Sequence, residues 1–100
     1  MKTAKGYRIN DLIGQISEVQ KMIDMHRSAA DDFMVGQYVY RRDGFVKQLI
    51  MEFLKLKVHS PKVIRAIRSC IQILEKDASK FDPGPAEDLQ FDMKSLEALV

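Results

Sequence analysis

The 100-residue chain has one cysteine, Cys70, no tryptophan and three prolines. A single cysteine excludes an internal disulfide framework and any all-cysteine metal site. The five glycines, Gly6, Gly14, Gly36, Gly44 and Gly84, stand apart from one another, so no glycine-rich phosphate loop is present. No apolar run approaches the roughly 18–20 residues that a membrane span needs. Residues 1–8 hold two lysines with no apolar stretch after them, which does not read as a secretory signal. From these absences we expect a cytoplasmic protein with no membrane association.

What is present is an ordinary globular mixture, 46% hydrophobic and 30% charged. The net charge of +2 conceals an uneven distribution: residues 1–30 carry +2, residues 31–69 carry +4 and residues 70–100 carry −4. Two explanations fit a basic middle and an acidic tail. The tail folds back on the middle, in the same chain or a partner chain, or the middle meets an external anion such as nucleic acid. A dedicated nucleic-acid binder usually has a pI above about 9. The value here is near 8.7, which favours self-neutralisation.

The apolar pattern is helical. Over residues 10–26, Ile9, Leu12, Ile16, Val19, Ile23 and His26 recur at steps of three and four, widened by Ile13 and Met22, with Asn10 or Asp11 as cap. Glu18 and Lys21 can pair on the opposite face. Asp31 and Asp32 suit the start of a second helix over residues 32–57. Its first part is ambiguous. Gly36, Gly44 and the Tyr38-Val39-Tyr40 run admit a short hairpin over residues 34–43, but strict alternation is missing, so helix is preferred. Ser60 followed by Pro61 is a strong start for a third helix, over residues 61–78. Ile64, Ile67, Ile71 and Leu74 form its stripe, with Val63 and Cys70 alongside and Phe81 closing the last turn. Pro83, Gly84 and Pro85 end regular structure. Residues 93–100 are expected to form a last short helix capped by Asp92 or Ser95.

These elements predict an all-α fold: an antiparallel helical hairpin plus a third helix, three-helix bundle-like, over residues 1–82. The acidic segment 83–100 would carry the short helix and pack on the bundle or on a partner subunit. The second helix is too apolar for that plan alone. Phe45, Leu49, Phe53 and Leu56 form one stripe, and Val46, Ile50 and Leu54 form another, with Met51 beside it. A helix apolar nearly all round must be covered all round. We therefore expect a homodimer or a dimer of dimers, with Val46, Ile50, Met51 and Leu54 at the interface.

Groups for chemistry are sparse. His26 and His59 are far apart, and neither belongs to a metal-ligand motif. His26 with Asp31 and Asp32 is the only grouping that suggests a metal site, and a seam-end histidine beside capping aspartates explains it more simply. Cys70 falls in the apolar pattern of the third helix, with no histidine near it in sequence, as a core cysteine would. No catalytic residue, metal or cofactor is assigned. The stretch from Tyr38 to Asp43 mixes aromatic residues and arginines, which bind nucleic acid in some proteins and build interfaces in others. Here Arg41, Arg42 and Asp43 are read as surface pairs or interface residues, with Tyr38 in the core.

Around residues 53–68 the chain resembles the turn and second helix of a helix-turn-helix, which would aim Lys62, Arg65 and Arg68 at DNA. It departs from that pattern in two places. Lys57 stands where glycine is common, and Phe53 where a small residue would let the helices meet. The expected function is a small non-catalytic homo-oligomeric helical module that binds another protein. A DNA-binding regulator is the alternative. An enzyme or metal protein built across a subunit interface would have to use His26, Asp31 and Asp32.

Overall fold

The computed structural model describes residues 4–77 and 91–100. Every regular element among them is α-helical: α1 is Ala4–Ser28, α2 Asp32–Leu54, α3 Pro61–Glu75 and α4 Met93–Glu97. The all-α expectation is met, and no hairpin interrupts residues 34–43. The isolated Gly36 and Gly44 each cost about 1 kcal/mol in a helix, too little to break one that is packed along its length.

α1 begins well before Asn10, so neither Asn10 nor Asp11 caps it. Asp11 instead lies 3.8 Å from Arg8 and accepts a hydrogen bond from Gln15. The buried positions of α1 are Leu12, Ile16, Val19 and Ile23, the centre of the expected seam. Ile13 is exposed and takes no part in it.

The link from α1 to α2 is short because its residues do double duty. The Ala30 amide donates to the Arg27 carbonyl and the Asp31 amide to that of His26, closing α1 with a Schellman turn. Ala30 occupies the left-handed position, φ 56°, that glycine usually fills. The next residue, Asp31, caps α2 by accepting from the Met34 amide at 3.2 Å. The chain thus reverses, and α1 and α2 pack along their lengths in opposite directions. Arg8 donates to Gln48, Arg42 donates to Gln20, and His26 stacks on Tyr38 with ring centroids 5.4 Å apart. Partners rise along one helix as they fall along the other.

α3 begins as its sequence predicts. The Ser60 hydroxyl accepts from the Val63 amide at 3.3 Å, and Pro61 occupies the first turn. The centre of its packed face is Cys70, flanked by Val63, Ala66, Ile67, Ile73 and Leu74. Ile64 and Ile71, expected in the stripe, are instead largely exposed. Cys70 shares the core with residues of both α1 and α2, and Ile67 and Ile73 pack against that core while Ile64 and Ile71 stand at the side. The main core joins Leu12 and Ile16 of α1, Val46, Leu49 and Phe53 of α2, and Cys70 of α3. A second cluster, Val19, Ile23 and Val39, continues it toward the α1–α2 turn.

Asp92 caps α4, accepting from the Ser95 amide at 3.0 Å and from its hydroxyl at 2.6 Å. Among the described residues, α4 packs on none of the other helices. The expected packing of Phe81 and the break at residues 83–85 lie outside the described residues.

Candidate functional site

The sequence reading put Arg42 on the surface, and the structure corrects this: Arg42 is only 1% exposed. Val39, Arg42, Val46, Leu49 and Phe53 are the buried residues of α2, spaced at three and four. Arg42 therefore sits at a core position of the seam. Burying an unpaired guanidinium would cost several kcal/mol, so its donors must find acceptors. They find them on all three packed helices or their ends. Nη1 donates to Gln20 on α1 at 3.0 Å. Nε and Nη2 donate to Asp43 on α2, both at 3.1 Å. Nη2 also donates to the Ile73 carbonyl of α3 at 3.4 Å and to Asp77, just past α3, at 2.9 Å. Asp77 is itself buried and accepts from Arg27, at the end of α1, at 3.1 Å.

No buried side-chain nitrogen or oxygen among the described residues lacks a partner. Each buried polar atom of the Arg42 centre thus has at least one partner. Its contacts tie the end of α3 to α1 and α2.

The other chemical candidates are equally occupied. His26 Nδ1 lies 3.6 Å from an Asp31 carboxylate oxygen, but that carboxylate is the α2 cap, and Asp32 is exposed in the first turn. Among the described residues, no three histidine, cysteine, aspartate or glutamate side chains converge to hold a metal. Cys70 is buried, and burial pushes its thiol above the usual range. A raised pKa leaves less thiolate, the opposite of what a nucleophile needs. An open trough of about 570 Å³ runs between α1 and α2, bordered by Asp11, Gly14, Gln15, Arg41 and Phe45. Arg41 sits over the Tyr38 ring, 5.8 Å from its centroid. The trough encloses nothing and contains no nucleophile paired with a base.

Two surfaces remain. The first is the outer face of α2, where Phe33 is 73% and Tyr40 85% exposed. Met51 and Leu54 are about half exposed on the same face. Positions 33, 40, 44, 51 and 54 belong to one heptad-spaced line of the helix, which also carries the exposed Gln37 and Lys47. Gly44, in the middle of this line, has nothing within 4 Å of where a Cβ would stand. Of the four expected interface residues, Val46 is completely buried inside the chain's own core and Ile50 packs against that core. Met51 and Leu54 are the two left facing outward. Phe33 and Tyr40 were missed, although their spacing relative to Met51 and Leu54 was available in the sequence.

The second surface is the end of the molecule where α2 passes into α3. Residues 54–69 hold five basic side chains and no acidic one. Lys55 pairs with Glu52 at 3.1 Å. Lys57, Lys62, Arg65 and Arg68 are exposed, and none of them pairs with a carboxylate among the described residues. The three residues singled out for nucleic-acid contact thus lie together on the free side of α3.

No protein-family model matches the chain, and neither does any curated protein or solved structure. Along the described helices, no segment is long and apolar enough to cross a membrane.

Proposed function

We propose that this chain is a small, non-catalytic helical module that associates with itself and works by binding another protein. In this reading α1, α2 and α3 form a three-helix bundle-like body, and the outer face of α2 is the seam between copies in a cytoplasmic homodimer or dimer of dimers. The observation that carries it is the exposed line of Phe33, Tyr40, Met51 and Leu54. Aromatic residues and methionine are enriched at protein interfaces, and clustered exposed apolar side chains mark such surfaces more often than bare solvent. The mutual pairing within the Arg42 centre supports a structural role for this polar cluster.

Light scattering on a sizing column tests this reading. The expected mass is that of a dimer or a tetramer. Met51→Asp combined with Leu54→Asp should reduce it to that of one chain while leaving the helical circular dichroism intact, because both side chains lie outside the core. A wild-type monomer at every concentration would refute self-association. Persistence of the oligomer in the double variant would move the seam elsewhere.

A second reading, a DNA-binding regulator, draws on the acid-free basic end. There Lys62, Arg65 and Arg68 would contact phosphate or base edges. Duplex DNA at low salt, where phosphate attraction is greatest, is the test. Failure to shift it would remove this reading.

A further inference from the structure

We propose that residues 91–100 of one copy lie along the outer flank of α3 in a second copy. The inference rests on the self-association reading above and names the segment that makes one of the contacts. Two surfaces of complementary character are left uncovered among the described residues.

On α3, Ile64 and Ile71 are 47% and 43% exposed. They stand seven residues apart, on one side of the helix, with Arg68 between them and Arg65 beside them. This is an apolar strip with a basic border. In the C-terminal segment, Phe91, Met93, Leu96 and Leu99 are all exposed, and Asp92 and Glu97 border them. This is an apolar strip with an acidic border. The Asp92–Ser95 cap already holds the first turn of α4 in shape, so part of the ordering cost of docking is met in the free chain.

Charge selects the occupant. Arg65 and Arg68 lie in the acid-free stretch 54–69, whereas residues 91–100 hold two acidic side chains, Asp92 and Glu97, against one lysine, Lys94. Burying the two apolar strips against each other would bring Arg65 and Arg68 beside Asp92 and Glu97. Opposed charges at an interface border steer association and fix register. Within its own chain α4 packs on none of α1, α2 and α3 among the described residues, so the flank is assigned to the segment of a neighbouring copy.

Cysteine trapping decides the matter. One batch carries Arg68→Cys and the other Leu96→Cys, both at exposed positions, while the buried Cys70 stays unreactive in each. Mild oxidation of the mixture should give a mixed disulfide dimer joining positions 68 and 96. Adding Glu97→Lys to the second batch should lower its yield about five-fold, and adding Arg65→Glu to the first should restore it, as expected for opposed border charges. An intramolecular disulfide in the monomeric double variant Arg68→Cys/Leu96→Cys would place the contact within one chain and overturn the proposal. So would absence of the mixed disulfide while light scattering still reports a dimer, an outcome that leaves self-association standing. A monomer by light scattering with no mixed disulfide removes both. If wild-type chain shifts duplex DNA through Lys62, Arg65 and Arg68 and no mixed disulfide forms, the flank belongs to nucleic acid instead.

Discussion

The inner and outer faces of α2 both carry apolar side chains, and what lies against them differs. The inner face holds Val39, Arg42, Val46, Leu49 and Phe53, and all five are buried. The outer face holds Phe33, Tyr40, Met51 and Leu54, with Gln37, Gly44 and Lys47 among them, and all of these are exposed. An arginine is inside and two aromatic rings are outside, the reverse of what hydrophobicity alone would assign. The difference lies in the neighbours. Arg42 has acceptors on three sides, at Gln20, Asp43 and Asp77, whereas the side chains of the outer line stay exposed. Burial follows the availability of covering surface and hydrogen-bond partners, and apolar content is only one route to it.

The comparison is broken most severely at its charged member. Arg42→Met takes from the buried Asp77 its 2.9 Å contact with the fully buried guanidinium, while the half-exposed Arg27 stays beside it. We expect a loss of about 3–5 kcal/mol, the range for removing one partner of a buried ion pair. The double variant Arg42→Met/Asp77→Leu should recover most of that loss, because apolar replacements of both partners are often neutral. Urea denaturation of the two single variants and the double variant measures the coupling. Losses that simply add would mean that the pair does not act as a unit.

Next in size is the apolar member. Leu49 is buried in the main core, so Leu49→Ala should cost about 2–5 kcal/mol. The same truncation at Leu54, on the outer face, should cost under about 0.5 kcal/mol in the dissociated chain. Equal losses at the two positions would erase the distinction between the faces.

The two faces also mark where the sequence was legible. The centre of the α1 seam could be read because Leu12, Ile16, Val19 and Ile23 recur at steps of three and four among mostly polar neighbours, and only its edge, at Ile13, was misplaced. The start of α3 could be read because a Ser-Pro cap is local chemistry. α2 and α3 were harder because their apolar arcs are wide, and the part of a wide arc that turns inward is settled by fit. On α3 the inward arc centres on Cys70, with Val63, Ala66, Ile67, Ile73 and Leu74 packed round it, and Ile64 and Ile71 stand at its side. Arg42 kept perfect seam spacing with Val39 and Val46, but a pattern that counts only apolar residues passes over it. Its partner Asp77 is 35 positions away, and nothing local announces it. The outer surfaces were legible as an excess of apolar residues, and their exact membership was not, because Val46 and Met51 look alike until the neighbours are placed.

The smallest expected effect is the sharpest probe of the outer face. Gly44 lies on that face and Gly14 on the exposed side of α1, and a Cβ at either position would meet nothing within 4 Å. In one chain, therefore, each glycine costs helix stability and returns no packing. Gly→Ala at either site should raise stability by about 0.5–1 kcal/mol, the difference in helix propensity. The two sites part company once copies associate. If a second chain lies along the line of Phe33, Tyr40, Met51 and Leu54, an added methyl at Gly44 stands in the seam, whereas one at Gly14 does not. Thermal melts across a concentration series should then give the full gain for Gly14→Ala throughout. For Gly44→Ala they should give the full gain only at dilutions where the chain is monomeric, with a smaller gain or a loss above the association midpoint. Parallel gains at every concentration would mean that the outer face of α2 meets only water at Gly44, and that any seam between copies lies elsewhere on the molecule.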